Sequence, residues 1–130
     1  MSVQQHIDTY LKGWELGDGS LSLAATAEDF FYLDPNTGRI ERDGFVSFVE
    51  DFKADAAAFL DGAILNPFLE YRDVVVKHGD DGSATVWCWW HARETPIEGS
   101  ALIKVDAKGV RSERIAYFSR LPESDIGPLC

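Results

Sequence analysis

Apolar side chains recur every three or four residues in two stretches of the chain, and this spacing is typical of one face of an α-helix. The first stretch follows Ser2, which forms a capping-box pattern with Gln5, and ends before Gly-Asp-Gly-Ser at 17–20. A short second helix is predicted at 21–25, and a third is predicted to begin after Asp43 as its N-cap. The apolar stripe of the third helix consists of Phe45, Phe48, Val49, Phe52, Ala56 and Phe59.

The remaining segments show the period of two that is typical of β-strands. An aromatic strand is predicted at 29–34, and four strand-length runs follow Asn66-Pro67. These runs are LEYRDVVVKH, SATVWCWWHA, IEGSALIKV and VRSERIAYFSR. The turn signals GDDG at 79–82 and DAKG at 106–109 predict hairpins between them. Three helices, one early strand and a four-strand meander indicate an α+β domain, with helices packed on one face of a strongly bent antiparallel sheet.

Composition restricts the class of protein. The 130 residues are 45% hydrophobic, which suits one domain, 1–130, with 121–130 as a C-terminal tail. The formal net charge of −10 repels phosphate backbones and anionic lipids, so we expect neither nucleic acid nor a membrane as a partner. The sequence contains no secretory signal pattern and no membrane-length apolar run, and we therefore expect a cytoplasmic protein.

The cysteines and acidic runs offer no pattern of metal ligands. Cys88 lies inside an apolar strand pattern and Cys130 is the last residue, so we expect no disulfide between them. The acidic residues lack calcium-loop spacing. We therefore expect no metal and no cofactor.

The strand TVWCWWHA is apolar on both faces. Val86, Cys88 and Trp90 alternate with Trp87 and Trp89. One face can meet the helices, and the other needs a partner, for which a second subunit is the simplest candidate. We therefore predict a homodimer through the outer sheet face; the alternative is a strand end that curls under a loop.

Asp34 ends the aromatic strand in the stretch FYLDPNTG. Asp-Pro followed by Asn-Thr-Gly is a turn signal, so the carboxylate could simply cap the turn. Phe30 and Tyr32 share its strand face, which favours a base or ligand-binding group at the mouth of an apolar pocket. Both interpretations remain open at this point.

The chain resembles the nuclear transport factor 2-like superfamily, which includes ketosteroid isomerases, SnoaL-like polyketide cyclases and scytalone dehydratases. The resemblance covers roughly residues 3–121 and depends on YLKGWELGD, FYLDPNTG, RDGFVSFVEDF and GVRSERIAYF. It implies a cystatin-like cone, in which a curved antiparallel sheet wraps around three helices and encloses a pocket.

The resemblance also implies site residues. Asp34 matches the proton-shuttling base of the isomerases, and Tyr10 matches their tyrosine donor to the oxyanion. The second oxyanion donor of those enzymes is a protonated aspartate, and its position here is Ala101. A lost donor of this kind typically costs ~10²–10³ in rate. A Tyr–Asp pair would still serve a reaction that needs one base and one donor.

If the loops hold no insertions, the same alignment assigns the sheet faces. Arg114 then faces the pocket, where it would need an anion such as Asp34 or a ligand carboxylate; otherwise it reaches solvent. His91 faces away from the pocket unless a bulge swaps the faces. The expected lining of the pocket is Trp14, Phe30, Tyr32, Phe48, Phe52, Trp90, Ala101, Ile103, Arg114 and Phe118.

Two functions follow from this resemblance. The first is a cofactor-independent isomerase, cyclase or dehydratase that abstracts a proton from a small apolar or carboxylate-bearing carbonyl compound, with Asp34 as base. The second is a non-catalytic ligand-binding or dimeric accessory module. Either function needs a pocket of ordinary ligand size, which is several hundred cubic ångströms (about 300 Å³ or more).

Overall fold

The computed structural model describes residues 1–118 and contains, within them, three α-helices and six β-strands. The helices are α1 (Val3–Leu16), α2 (Gly19–Leu23) and α3 (Phe45–Ala58), with a 3-10 turn at Arg42–Gly44 before α3. The strands are β1 (Thr26–Asp34), β2 (Gly38–Glu41), β3 (Leu69–His78), β4 (Ala84–Ala92), β5 (Glu98–Asp106) and β6 (Gly109–Tyr117). The predicted tail at 121–130, including Cys130, lies outside the described residues.

Local sequence explains where the first two helices begin and end. Ser2 and Gln5 form both hydrogen bonds of the predicted capping box. Gly17 ends α1 at a φ of 66°, a left-handed conformation that glycine adopts without strain. Asp18 accepts the Leu21 N–H and caps α2. The predicted Asp43 cap of α3 is not formed, because Asp43 lies in the 3-10 turn.

The six strands form one curved sheet in the order β2-β1-β6-β5-β4-β3. Strand β2 was not predicted; it pairs with β1 across the Asp-Pro-Asn-Thr turn. All neighbours in the described sheet are antiparallel except β1 and β6, which run parallel. The parallel pair joins the first strand to the last described strand and places β6 inside the sheet, between β1 and β5. The predicted α+β class, with helices packed on the curved sheet, is confirmed.

The inner face of the sheet follows the predicted register on β4 and β5. Val86, Cys88 and Trp90 are buried on β4. Ala101 and Ile103 are buried opposite them on β5. The side chains of Trp87 and His91 alternate with these and face away from the core.

The predicted register of β6 is wrong by one residue. Lys104 pairs with Ser112, but the next residue, Val105, pairs with Val110, so Arg111 is an extra residue in β6. This bulge reverses the faces of the following residues, and Glu113 becomes buried. Arg114 and Phe118 consequently lie on the outer face; Phe118 is 40% exposed and packs its ring on Trp89. Neither side chain faces the interior as predicted.

Gly99 provides a test of this packing. It pairs with Trp90 and Tyr117 across the sheet, and a Cβ at this position would lie 1.9 Å from the Ala116 carbonyl oxygen and 2.7 Å from the Trp90 ring. We expect Gly99→Ala to destabilise the fold by about 1–3 kcal/mol in urea denaturation, because backbone atoms must move. Gly44→Ala is the matched control, since its Cβ meets only Ile40 at 3.7 Å. Equal midpoints for the two variants would contradict the close packing at Gly99.

Candidate functional site

A buried carboxyl group lies at the centre of the molecule. Glu113 is on β6 opposite Tyr32 and Ile103, and only 2% of it is exposed. Tyr10, on α1, is completely buried and donates its hydroxyl hydrogen to Glu113 Oε1. The hydrogen bond joins residues 103 positions apart and attaches the first helix to the middle strand of the sheet.

Burial decides the protonation of this pair. Removal from water raises the pKa of the Glu113 carboxyl from 4.5 to about 7, while the Tyr10 hydroxyl and the Trp14 indole N–H oppose that rise. The pKa of Tyr10 is also raised, first by burial and then by the Glu113 charge, so tyrosine keeps its proton. A carboxyl group with a pKa near neutrality can both donate and accept a proton in the physiological range.

The interior beside Glu113 is almost filled. A void of about 10 Å³ remains, which is room for one water-sized atom. Trp14 packs its ring edge-to-face against Phe52 and Phe48 at centroid distances of 5.5 and 6.3 Å, and Phe30 packs against Phe45 at 5.0 Å. The void is lined by Trp14, Tyr32, Phe52, Leu69, Tyr71, Trp90, Glu113 and Ile115. The space beside Glu113 is therefore much smaller than the several hundred cubic ångströms expected of the interior pocket.

The predicted lining residues divide into three groups. Trp14, Tyr32, Phe52 and Trp90 line the small void. Ala101, Ile103 and Phe30 are buried in the core, and Phe48 is half-buried against Trp14 and Tyr32. Arg114 and Phe118 lie on the outer face of the sheet.

Asp34 caps a turn and also lies near the mouth cleft, so both alternatives that the sequence left open apply. Its Oδ1 accepts the backbone N–H groups of Asn36 and Thr37 at 2.7 and 3.1 Å, which is a turn cap. Its Oδ2 accepts the Tyr117 hydroxyl at 2.6 Å, and only 4% of the residue is exposed. The expected position beside Tyr10 is not observed, because the partner of Tyr10 is Glu113. The interior thus contains two tyrosine–carboxylate pairs.

A larger space opens at the mouth of the cone. This mouth cleft has a volume of about 390 Å³ and is lined by Asn36, Phe52, Asp55, Ile97 and Tyr117. Burial and the Asp34 carboxylate raise the pKa of Tyr117, so its hydroxyl stays protonated and donates to Asp34. Phe52 lines both the mouth cleft and the inner void. It is the one residue that the described linings of the two spaces share.

Sequence reasoning missed Glu113 and Tyr117, although a signal was present. The run from Glu113 to Tyr117 alternates with a period of two through Ile115, and the same face carries both polar groups. The bulge at Arg111 caused the error, because counting without the extra residue assigns Arg114, and not Glu113, to the inner face.

His91 faces away from the interior, as predicted. Its Nδ1 lies 2.9 Å from Glu70 and its Nε2 lies 2.8 Å from the Thr95 carbonyl oxygen. Partial burial lowers its pKa, but these two hydrogen-bond acceptors outweigh that effect and raise it. The histidine therefore has a structural role in a surface network and does not compete with Glu113 as a base.

Within residues 1–118, no three His, Cys, Asp or Glu side chains are placed to hold a metal ion. In the same range, the helices are too short or too polar to cross a membrane.

Solved structures with the same architecture span most of the chain. A nuclear transport factor 2-like protein of unknown function from Cytophaga hutchinsonii has a TM-score of 0.60 at 9% identity, over 90% of each chain. A ketosteroid isomerase-like protein from Erwinia carotovora atroseptica has a TM-score of 0.62 at 13% identity, over 91% of this chain and 95% of its own. A proposed polyketide cyclase from Xanthomonas campestris pv. campestris has a TM-score of 0.53 at 19% identity, over 87% of each chain.

The sequence itself matches no family model and no curated protein. The chain has the nuclear transport factor 2-like fold, as predicted. Identities of 9–19% show the fold alone.

The Glu113 pKa predicts how stability depends on pH. The unfolded chain loses this proton near the ordinary pKa of 4.5, and the folded chain loses it near 7. The folded state binds more protons between these values, so the free energy of unfolding should fall as pH rises from about 4.5 to about 7. Glu113→Gln should flatten this part of the profile in urea denaturation, whereas the exposed Glu50→Gln should keep it. The same slope in all three proteins would show that Glu113 is not the titrating group.

Proposed function

We propose that the protein binds a small, mostly apolar carbonyl compound at the mouth cleft and transfers a proton in it without a cofactor. The reaction class is isomerisation, cyclisation or dehydration that begins with proton abstraction. One observation carries the proposal: Glu113, with a pKa raised to about 7, is paired with Tyr10 behind a single aromatic ring. A perturbed carboxyl group of this kind in a dry interior is typical of acid–base sites.

Phe52 would control access to the carboxyl group. Its side chain is only half-buried and forms the wall between the mouth cleft and the inner void. Rotation of this ring toward solvent would join the 390 Å³ cleft to the void. A ligand in the cleft would then reach Glu113 with its reactive end, while Trp90 and Tyr117 contact its apolar body.

Asp34 is the second candidate base, and the resemblance to ketosteroid isomerases favours it. Two backbone N–H groups and the Tyr117 hydroxyl occupy its oxygens, which leaves the carboxylate less able to take a proton from a ligand. Tyr117, rather than Asp34, lines the mouth cleft. We therefore assign proton transfer to Glu113 and ligand anchoring to the Asp34–Tyr117 pair.

The solved neighbours support this class of chemistry only by analogy. They include a ketosteroid isomerase-like protein and a proposed polyketide cyclase, but a shared fold does not transfer an activity. The alternative, a non-catalytic ligand-binding or accessory module, is favoured by the small inner void of about 10 Å³. The predicted cytoplasmic location remains a prediction.

Deuterium exchange into cyclohexanone tests the proposed chemistry. In D₂O, the wild-type protein should accelerate exchange at the carbons next to the carbonyl group, as followed by NMR, with a rate that rises through about pH 7. Glu113→Gln should reduce the acceleration by ~10²–10⁴, since it removes general-base catalysis. Asp34→Asn should keep most of it. The reverse order of the two variants would identify Asp34 as the base, and exchange at the buffer rate in wild type would favour the non-catalytic module.

The outer sheet face supports a proposal for the assembly. Trp87 is 45% exposed and pairs with Val75, which is 56% exposed, beside a depression of about 410 Å³ that Leu102 and Arg114 also line. An exposed apolar surface of this kind is typical of an interface. We propose that two copies of the chain associate through it.

Sedimentation of a charged variant tests the dimer. Trp87→Glu should convert a micromolar dimer into a monomer with unchanged helical content, because it buries a charge only in the dimer. Trp89 is less suitable for this test, since it packs on Phe118 and Arg72 within the subunit. Phe59→Glu is the matched control, because Phe59 is 57% exposed at the end of α3, away from the sheet face. A monomeric wild-type protein at this concentration would end the proposal.

A further inference from the structure

The indole N–H of Trp14 is buried without a hydrogen-bond acceptor of ordinary geometry among residues 1–118. Only 2% of the residue is exposed, and within the described residues its Nε1 has no hydrogen-bond partner. The nitrogen is near enough to Glu113 and Tyr10 to lower the pKa of each, as a weak donor does, but it forms no hydrogen bond of ordinary geometry with either. A buried donor without a partner is unfavourable, and it points to an acceptor that enters from outside the chain.

The neighbouring void has the size and the chemistry for that acceptor. Its volume of about 10 Å³ holds one atom of the size of a water oxygen. Trp14, with its unpaired donor, and Glu113, with its carboxyl group, both line this void, and Tyr32, Phe52 and Trp90 are among the other lining residues. Trp90 is not a competing donor, because its Nε1 already donates to the Ser100 carbonyl oxygen at 3.1 Å.

We propose that this void binds one oxygen atom of the ligand, which accepts the Trp14 indole N–H and faces Glu113, so that the protein selects neutral carbonyl or hydroxyl compounds over carboxylates. The inference rests on the proposed function for the position of the ligand.

The charges around the mouth cleft and the void oppose the binding of an anionic ligand. Asp34 and Asp55 lie at the mouth, and Glu113 lies at the inner end. Among the described residues that line the mouth cleft and the void, none is lysine or arginine. Arg114, which was expected to receive a ligand carboxylate, lies on the other side of the sheet. A carboxylate would therefore enter a low-dielectric site next to like charges and without a counterion.

The NMR resonance of the Trp14 indole N–H reports directly on binding in the void beside Glu113. The probes are cyclohexanone, its hydrocarbon counterpart methylenecyclohexane, and cyclohexanecarboxylate, each titrated into the ¹⁵N-labelled protein. We expect cyclohexanone to shift the Trp14 resonance and to bind roughly fivefold to tenfold tighter than the hydrocarbon, as one neutral hydrogen bond allows. Cyclohexanecarboxylate should bind more weakly than either.

Two variants separate the hydrogen bond from the packing. Trp14→Phe should remove the preference for cyclohexanone over methylenecyclohexane. Trp90→Phe should keep that preference, because it alters the same void without removing a free donor. If Trp14→Phe does not fold, the wild-type titration decides by itself, with the indole resonance assigned by its contacts to Tyr32 and Phe52.

Three results would overturn the inference: cyclohexanone binds without moving the Trp14 resonance, it does not bind at all, or the carboxylate binds as tightly as the ketone. A shifted Trp14 resonance without deuterium exchange in cyclohexanone would instead refute only the proposed catalysis. In that case the void would still bind a ligand oxygen, as part of a ligand-binding module.

Discussion

The hydrogen bond between Tyr10 and Glu113 is the interaction on which the interior depends. A carboxyl group at the centre of an aromatic core is unfavourable unless it is neutral or paired, and here both conditions contribute. The bond connects α1 to β6, the strand that pairs with both β1 and β5. Together with the apolar contacts of α1, it holds the helix on the sheet. Trp14, one turn further along α1, lies near the same carboxyl group but forms no hydrogen bond of ordinary geometry with it.

Large side chains explain why the cone is nearly closed. Trp14, Tyr32, Phe48 and Phe52 meet mostly edge-to-face or tilted in the space that a smaller set of residues would leave open. The fold itself does not decide the cavity volume; the side chains that fill it do. What remains is an atom-sized void inside and a cleft outside, and Phe52 lines both. Movement of Phe52 would then control any reaction at Glu113.

The two faces of the sheet have separate roles. The inner face carries the carboxylates of both tyrosine–carboxylate pairs, whereas the outer face carries Trp87, Trp89 and Arg114. Asp34 shows that one carboxylate can serve two purposes, since one oxygen holds the turn and the other holds Tyr117. Turn capping and a place at the mouth of the pocket were alternatives in the sequence, and in the structure they coincide.

The sequence by itself determined the three helices, the aromatic strand that ends at Asp34, the four later strands and the outward position of Trp87, because these features depend on local periodicity and turn chemistry. Only the tertiary structure decided the parallel pairing of β1 with β6, the partner of Tyr10 and the volume of the void. Each of these depends on residues far apart in the chain. The bulge at Arg111 shows the physical reason most clearly: one unpaired residue reverses a strand's faces, and pairing with the neighbouring strand decides where it occurs.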